Sequence, residues 1–195
     1  MRKAIGTAGL WTLLAWTVAG PAPARAQTTW KVDPVHSQVL FRVLHLNIGH
    51  VWGWFRQFEG TVVLDAQRPE GNRIEFSVDA ASVDTRDEKR DQHLRGPDFF
   101  NAKQAPKWSF RSRTVKPAGA DSYEVSGDLT LRGVTKPVTF TARKVGEGKD
   151  PWGSQRVGFS ARFPVDRSAF GISYMPEGLG REVEVFVDFE AILQK

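Results

Sequence analysis

The stretch from Val183 to Leu193 alternates without a break. Val183, Val185, Val187, Phe189, Ala191 and Leu193 share one face, while Glu182, Glu184, Asp188 and Glu190 dominate the other. Successive side chains of a strand point to opposite sides, so a period of two marks a strand with one apolar and one wet face. The pattern recurs through the chain. Val157, Phe159, Ala161, Phe163 and Val165 form a clean run; Tyr123, Val125, Gly127, Leu129 and Leu131 form another. Ile74, Phe76, Val78 and Ala80 alternate, as do Val138, Phe140 and Ala142, and Val39, Phe41 and Val43. Trp108 and Phe110 oppose Arg111 and Arg113. Trp54, Phe58, Val62 and Leu64 are in phase, but Phe55 is not, which predicts either a bulge or a crowded entrance. Gly49 to Gly53 reads as the turn before that strand.

Eight long strands follow, with a short ninth at Trp30 to Asp33. Many alternating strands joined by short turns imply an antiparallel sandwich or barrel. Strands of about ten residues span roughly 34 Å, long for a sandwich. An eight-stranded closed barrel has room for one small ligand. The fold class read from the residues is therefore all-β: an eight-stranded antiparallel β-barrel with one short helix between the middle strands. Its inner face would be apolar and suit an elongated, greasy guest. Phe41, Val43, Phe76, Phe110, Leu129, Phe140, Phe159, Val185 and Val187 are expected to line one continuous pore.

The helix is expected over Arg86 to Arg95. Thr85 and Glu88 have the spacing of a capping box, and Gly96-Pro97 ends the segment. Asp91 and Arg95 stand one turn apart. Leu94 is its only strongly apolar residue, so it buries no stripe. Phe99 and Phe100 follow directly. The segment reads either as a solvated connector before two core aromatics or as a lid over something apolar.

Arg2 and Lys3 precede an apolar run, and Ala24-Arg25-Ala26 matches a small-x-small cleavage site. Residues 1–26 are thus expected to be a secretory signal peptide, leaving 27–195 as one domain. Its loss takes Arg2, Lys3 and Arg25 with it and lowers the formal charge from +5 to +2. That balance argues against a nucleic-acid partner. The chain has no cysteine, which excludes disulfides, thiolate metal sites and cysteine nucleophiles.

Catalytic signatures are missing: there is no G-x-S-x-G elbow, no H-E-x-x-H pair and no phosphate-binding glycine loop. His36, His45, His50 and His93 make no helical i, i+4 pair. No metal or cofactor is expected. His45 continues the phase of Phe41 and Val43, either as a polar group at the pore mouth or as a structural histidine. Arg95, Lys103, Lys136 and Arg156 sit at element ends or in loops, where each is either a surface charge or a phosphate ligand. Trp152, in a Pro-Trp-Gly turn, either roofs the cavity or covers a barrel end.

The run Gly127-Asp128-Leu129-Thr130-Leu131-Arg132-Gly133-Val134-Thr135-Lys136-Pro137-Val138 resembles the signature of the YceI-like family of secreted polyisoprenoid-binding proteins. The resemblance extends to Ser82-Val83-Asp84-Thr85, to Arg90-Asp91-Gln92-His93-Leu94-Arg95 and to Asp98-Phe99-Phe100-Asn101. It continues in Phe41-Arg42 with His45-Leu46, in Gly53-x-Phe55-x-x-Phe58-x-Gly60, and in Asp150-Pro151-Trp152-Gly153 with Gly158-Phe159. The resemblance implies a lipocalin-like barrel in the periplasm that binds rather than catalyses. It implies an isoprenoid lipid as guest, such as a polyprenyl pyrophosphate or a prenylated quinone, and leaves room for a homodimer. His45, Arg95, Phe99, Phe100, Trp152 and Arg156 are the candidates for the mouth and the head group. Two alternatives stand beside this: an enzyme acting on an apolar ligand in the same pocket, and an outer-membrane barrel. Charges such as Glu182, Glu184 and Arg111 on the outer faces argue against the second.

Overall fold

In the computed structural model, which describes residues 27–65 and 68–194, the backbone is almost wholly extended. The expected signal peptide, residues 1–26, lies outside the described residues. The hydrogen-bonded segments are β1 (Thr28–Val32), β2 (Gln38–His45), β3 (Gly49–Phe55), β4 (Phe58–Leu64), β5 (Arg73–Asp79) and β6 (Val83–Asp84), then α1 (Glu88–Arg95). After the helix come β7 (Lys107–Gly119), β8 (Ser122–Leu131), β9 (Val134–Lys149), β10 (Gln155–Asp166) and β11 (Leu179–Leu193).

These segments reduce to eight continuous strands. β1 and β2 both run antiparallel to β11, Trp30 opposite Leu193 and Gln38 opposite Asp188, so they are one strand interrupted at Asp33 to Ser37. β3 and β4 pair with its two halves, through Val39–Phe55 and Trp30–Val62. β5 and β6 pair with β4 and β3 in turn. β7 to β11 continue as an antiparallel meander, and the pairing of β11 with β1 and β2 closes the barrel. The ladder is not complete all the way round: β6 pairs only with β3, and β9 meets β10 only from Ala142 onward. The expected eight-stranded antiparallel barrel with one helix is the observed fold.

Aspartates make the interruptions. Asp33, Asp79 and Asp166 each accept a hydrogen bond from the backbone N–H two residues on. Each starts a single 3₁₀ turn, the local alternative that short polar side chains offer the backbone. The displaced phase of Phe55 has a similar origin. β3 ends there, Arg56 and Gln57 leave the ladder, and β4 restarts at Phe58.

Two local expectations are corrected. The turn before β3 is not at Gly49 to Gly53, which is strand; it lies at Leu46 and Asn47, both with left-handed φ of 52° and 56°. The helix begins later than Arg86. Its N-cap is Asp87, whose carboxylate accepts from the Arg90 N–H at 2.9 Å. Thr85 caps nothing. Its N–H and hydroxyl both donate to Asp91, at 2.8 and 2.5 Å, and its own oxygen accepts from Arg90. Thr85 and Asp91 are buried, so this knot ties the helix to β6 and replaces the capping box.

Candidate functional site

Inside the barrel lies a cavity of about 180 Å³. Alternation decides its lining: the even positions of β10 and β11 face out, and Phe159, Ala161, Phe163, Val165, Val183, Val185, Val187 and Phe189 face in. All nine residues expected on the pore line this one space: Phe41, Val43, Phe76, Phe110, Leu129, Phe140, Phe159, Val185 and Val187. Val187 is the joint where the three clusters of core residues meet. Few polar groups reach the cavity. Among its lining residues only Trp108, Ser109, Tyr123 and Arg167 carry polar side-chain atoms. The Trp108 indole nitrogen is buried without a hydrogen-bond partner, and its ring meets Phe55 and Phe100 edge-on at 4.7 and 4.6 Å.

The helix and the turn after it close one end. Leu94, the lone apolar residue of α1, points into the cavity with Phe99 and Phe100. The helix surface is polar, as the connector reading expects, while Leu94, Phe99 and Phe100 belong to the cavity wall. Arg132, from the β8–β9 turn, donates to the carbonyls of Pro97 and Gly171 and joins this segment to the loop 171–178. Tyr174 of that loop packs on Phe99 at 5.2 Å and on His93 at 4.9 Å.

The polar residues proposed for the mouth do not converge. Arg95 lies at the helix end of the barrel, where it donates to the carbonyls of Ala81 and Val83 at 2.9 and 3.1 Å and pairs with Glu88 at 3.1 Å. It is held by Glu88, not by Asp91, whose carboxylate is taken by Thr85. Arg156 and Trp152 stand at the opposite end, where β10 begins. The Arg156 guanidinium is spent on three carboxylates: Asp33 at 2.8 Å, Asp150 at 2.8 Å and Glu190 at 3.0 Å. These pairs raise the Arg156 pKa, Asp150 contributing most, and Arg156 in turn lowers Asp33 to about 2. Trp152 is 83 % exposed and roofs nothing. His45 is half-buried at the end of β2, beyond the lining. Of the six mouth candidates, only Phe99 and Phe100 border the cavity.

Arg167 is a lining residue outside the sequence-based candidates. It is 6 % exposed and lines the cavity. Its Nε donates to the Gly180 carbonyl at 2.9 Å, and its two terminal nitrogens donate to the carbonyls of Ile172, Tyr174 and Leu179, each at 2.9 Å. Burial pushes its pKa down, opposed by the nearby charge of Asp166. One cation thus ties loop carbonyls at Ile172 and Tyr174 to those of Leu179 and Gly180 at the start of β11. The signal was parity: Arg167 continues the inward phase of Phe163 and Val165 just beyond the end of β10.

Residues 30–191 match the YceI-like domain. The chain belongs to the YceI-like family. It is 39 % identical over 168 residues to protein YceI of Escherichia coli O157:H7, covering 85 % of this chain and 87 % of that one. Burkholderia cenocepacia BcnA is a structural neighbour with TM-score 0.74 and 26 % identity, over 82 % of this chain and 98 % of BcnA. A polyisoprenoid binding domain from Saccharophagus degradans has the same fold, with TM-score 0.64 at 12 % identity, over 85 % of this chain and 98 % of that domain. YceI-like barrels are thus the architecture in which the apolar lumen has to be understood.

Proposed function

We propose that this YceI-like chain binds a long isoprenoid lipid in its lumen and carries it through the periplasm. The observation that supports the reading is the single apolar space running past Phe41, Phe76, Phe110, Phe140, Phe159 and Val187. Burying an isoprenoid tail against such walls gains about 0.8 kcal/mol per CH₂ before the costs of binding. The polyisoprenoid binding domain from Saccharophagus degradans supports the choice of guest. A binding role also suits the polar groups on the wall, because Arg167 has its donors committed to backbone carbonyls.

The outer wall supports a barrel that works in water. Arg42 and Arg162 clamp Glu184, Arg111 pairs with Glu75, and Arg113 pairs with Asp128, all on the outside. In an outer-membrane barrel these charges would face hydrocarbon at a cost of up to a few kcal/mol each. No helix among the described residues is long and apolar enough to cross a membrane. The test is native mass spectrometry of protein recovered from its own periplasm, followed by extraction of the guest. An isoprenoid mass adduct is the expected result. A consistently empty barrel that also refuses geranylgeraniol after delipidation would overturn the reading.

A further inference from the structure

Three glycines of the family-like motifs face the lumen beside three of its aromatic rings. Gly53 stands opposite Phe41, Gly60 opposite Phe76, and Gly127 beside Phe110. A Cβ at Gly53 would overlap the ring edge of Phe41. At Gly60 it would lie 2.8 Å from a Val32 methyl and 3.0 Å from Phe76. At Gly127 it would lie 2.7 Å from Phe110 and would strike the Arg111 carbonyl. All three phenylalanines line the cavity. None of these glycines has a left-handed φ, so backbone freedom does not explain them. What each supplies is the space its missing side chain leaves: at Gly53 the Phe41 ring fills it, at Gly60 the Phe76 ring shares it with Val32, and at Gly127 the Phe110 ring shares it with the Arg111 carbonyl.

We infer that Gly53 and Gly60 set the width of the bore, and that this width is what admits a methyl-branched chain. The inference rests on the isoprenoid reading above. A phenylalanine ring laid over glycine covers the wall without projecting into the lumen. A methyl in the place of Gly53 meets the ring from the wall side, and so drives it toward the lumen. A straight alkyl chain tolerates a narrower bore than a chain with a methyl on every fourth carbon. Gly53 and Gly60 are therefore specificity-determining residues, although neither presents a side chain to the ligand. Gly127 has the same geometry but abuts backbone, so substitution there tests folding rather than width.

The experiment measures affinities of delipidated protein for geranylgeraniol and for 1-hexadecanol, whose main chains are equal in length. Wild-type protein should prefer the branched alcohol. Gly53→Ala should weaken geranylgeraniol by about tenfold and hexadecanol by less than about twofold, the difference expected when one or two branch methyls lose their place. Adding Phe41→Leu to Gly53→Ala shortens the displaced side chain and should restore the preference. Gly60→Ala repeats the test at a second level of the barrel and decides the matter if Gly53→Ala does not fold. Equal losses for both alcohols in a folded variant, or an unchanged ratio, would overturn the width rule while leaving lipid binding intact. Failure of wild-type protein to bind either alcohol would instead remove the isoprenoid reading, and this inference with it.

Discussion

Val187→Thr tests the lumen at its centre with almost no change of shape. Val187 packs against all three core clusters and lines the cavity. Threonine replaces one methyl by a hydroxyl of similar size. In the ligand-free barrel that hydroxyl has space beside it; with a tail bound it is pressed against hydrocarbon. Burying a hydroxyl without a partner costs about 1–3 kcal/mol by mutational measures. Affinity for an isoprenoid should therefore fall by roughly 5- to 150-fold, since about 1.4 kcal/mol is tenfold. The neighbouring Asp188 is exposed on the outer face, so Asp188→Asn is the matched control and should leave affinity unchanged. Fluorescence competition with a labelled polyprenyl alcohol gives both affinities, and thermal melts confirm that each variant is folded. Unchanged affinity in folded Val187→Thr would refute the assignment of this face to the ligand, because the alternation leaves no other face for it.

Arg95→Gln should lower stability by about 1.5–3 kcal/mol, the range for hydrogen bonds from a charged donor, and leave lipid affinity where it was; a melt and a titration on the same sample separate the two, and a selective loss of pyrophosphate binding would return Arg95 to the site. Arg156→Gln should lower the melting temperature by several degrees near pH 6. The depressed pKa of Asp33 means its contribution is fully present above the ordinary 3.8 and is lost as pH falls through about 2, so the gap between wild type and variant should close over that interval. A gap that stays constant from pH 6 to pH 2 would exclude Asp33 as the source. Export should leave Gln27 as the first residue of the mature protein, which N-terminal sequencing of the periplasmic fraction checks directly; an intact Met1 there would contradict it.

Much of the barrel could be read from the chain because strands report their faces every second residue. β10 and β11 carry that signal over their whole length, and the pairing Phe159–Phe189, Ala161–Val187 and Phe163–Val185 follows from it once the two strands lie side by side. The nine pore residues were legible for the same reason: parity within a strand is a local property, and burial of one face is a property of the barrel as a whole. The breaks were less legible. β1 and β2 look like separate strands until β11 is seen to pair with both, and the Leu46–Asn47 turn was hidden because residues other than glycine adopt its left-handed φ.

The polar residues were not legible at all, and the physical reason is the reach of their partners. Arg156 binds Asp33 across 123 residues and Glu190 across 34, so whether it faces a ligand or three carboxylates depends on closure of the barrel. Arg95 spends two donors on carbonyls that only the folded path of Ala81 to Val83 brings near it. Trp152 and Arg156 sit at one end and Arg95 at the other, a separation set by strand direction rather than by residue type. The glycines show the same division: the motif placed Gly53 and Gly60, but the rings that occupy their missing side chains belong to neighbouring strands. Sequence alone determined the fold class and the apolar lining, because hydrophobic periodicity is written locally. Tertiary structure decided which charges are spent, where the lumen ends and how wide it is, because each depends on groups that meet only when the barrel closes.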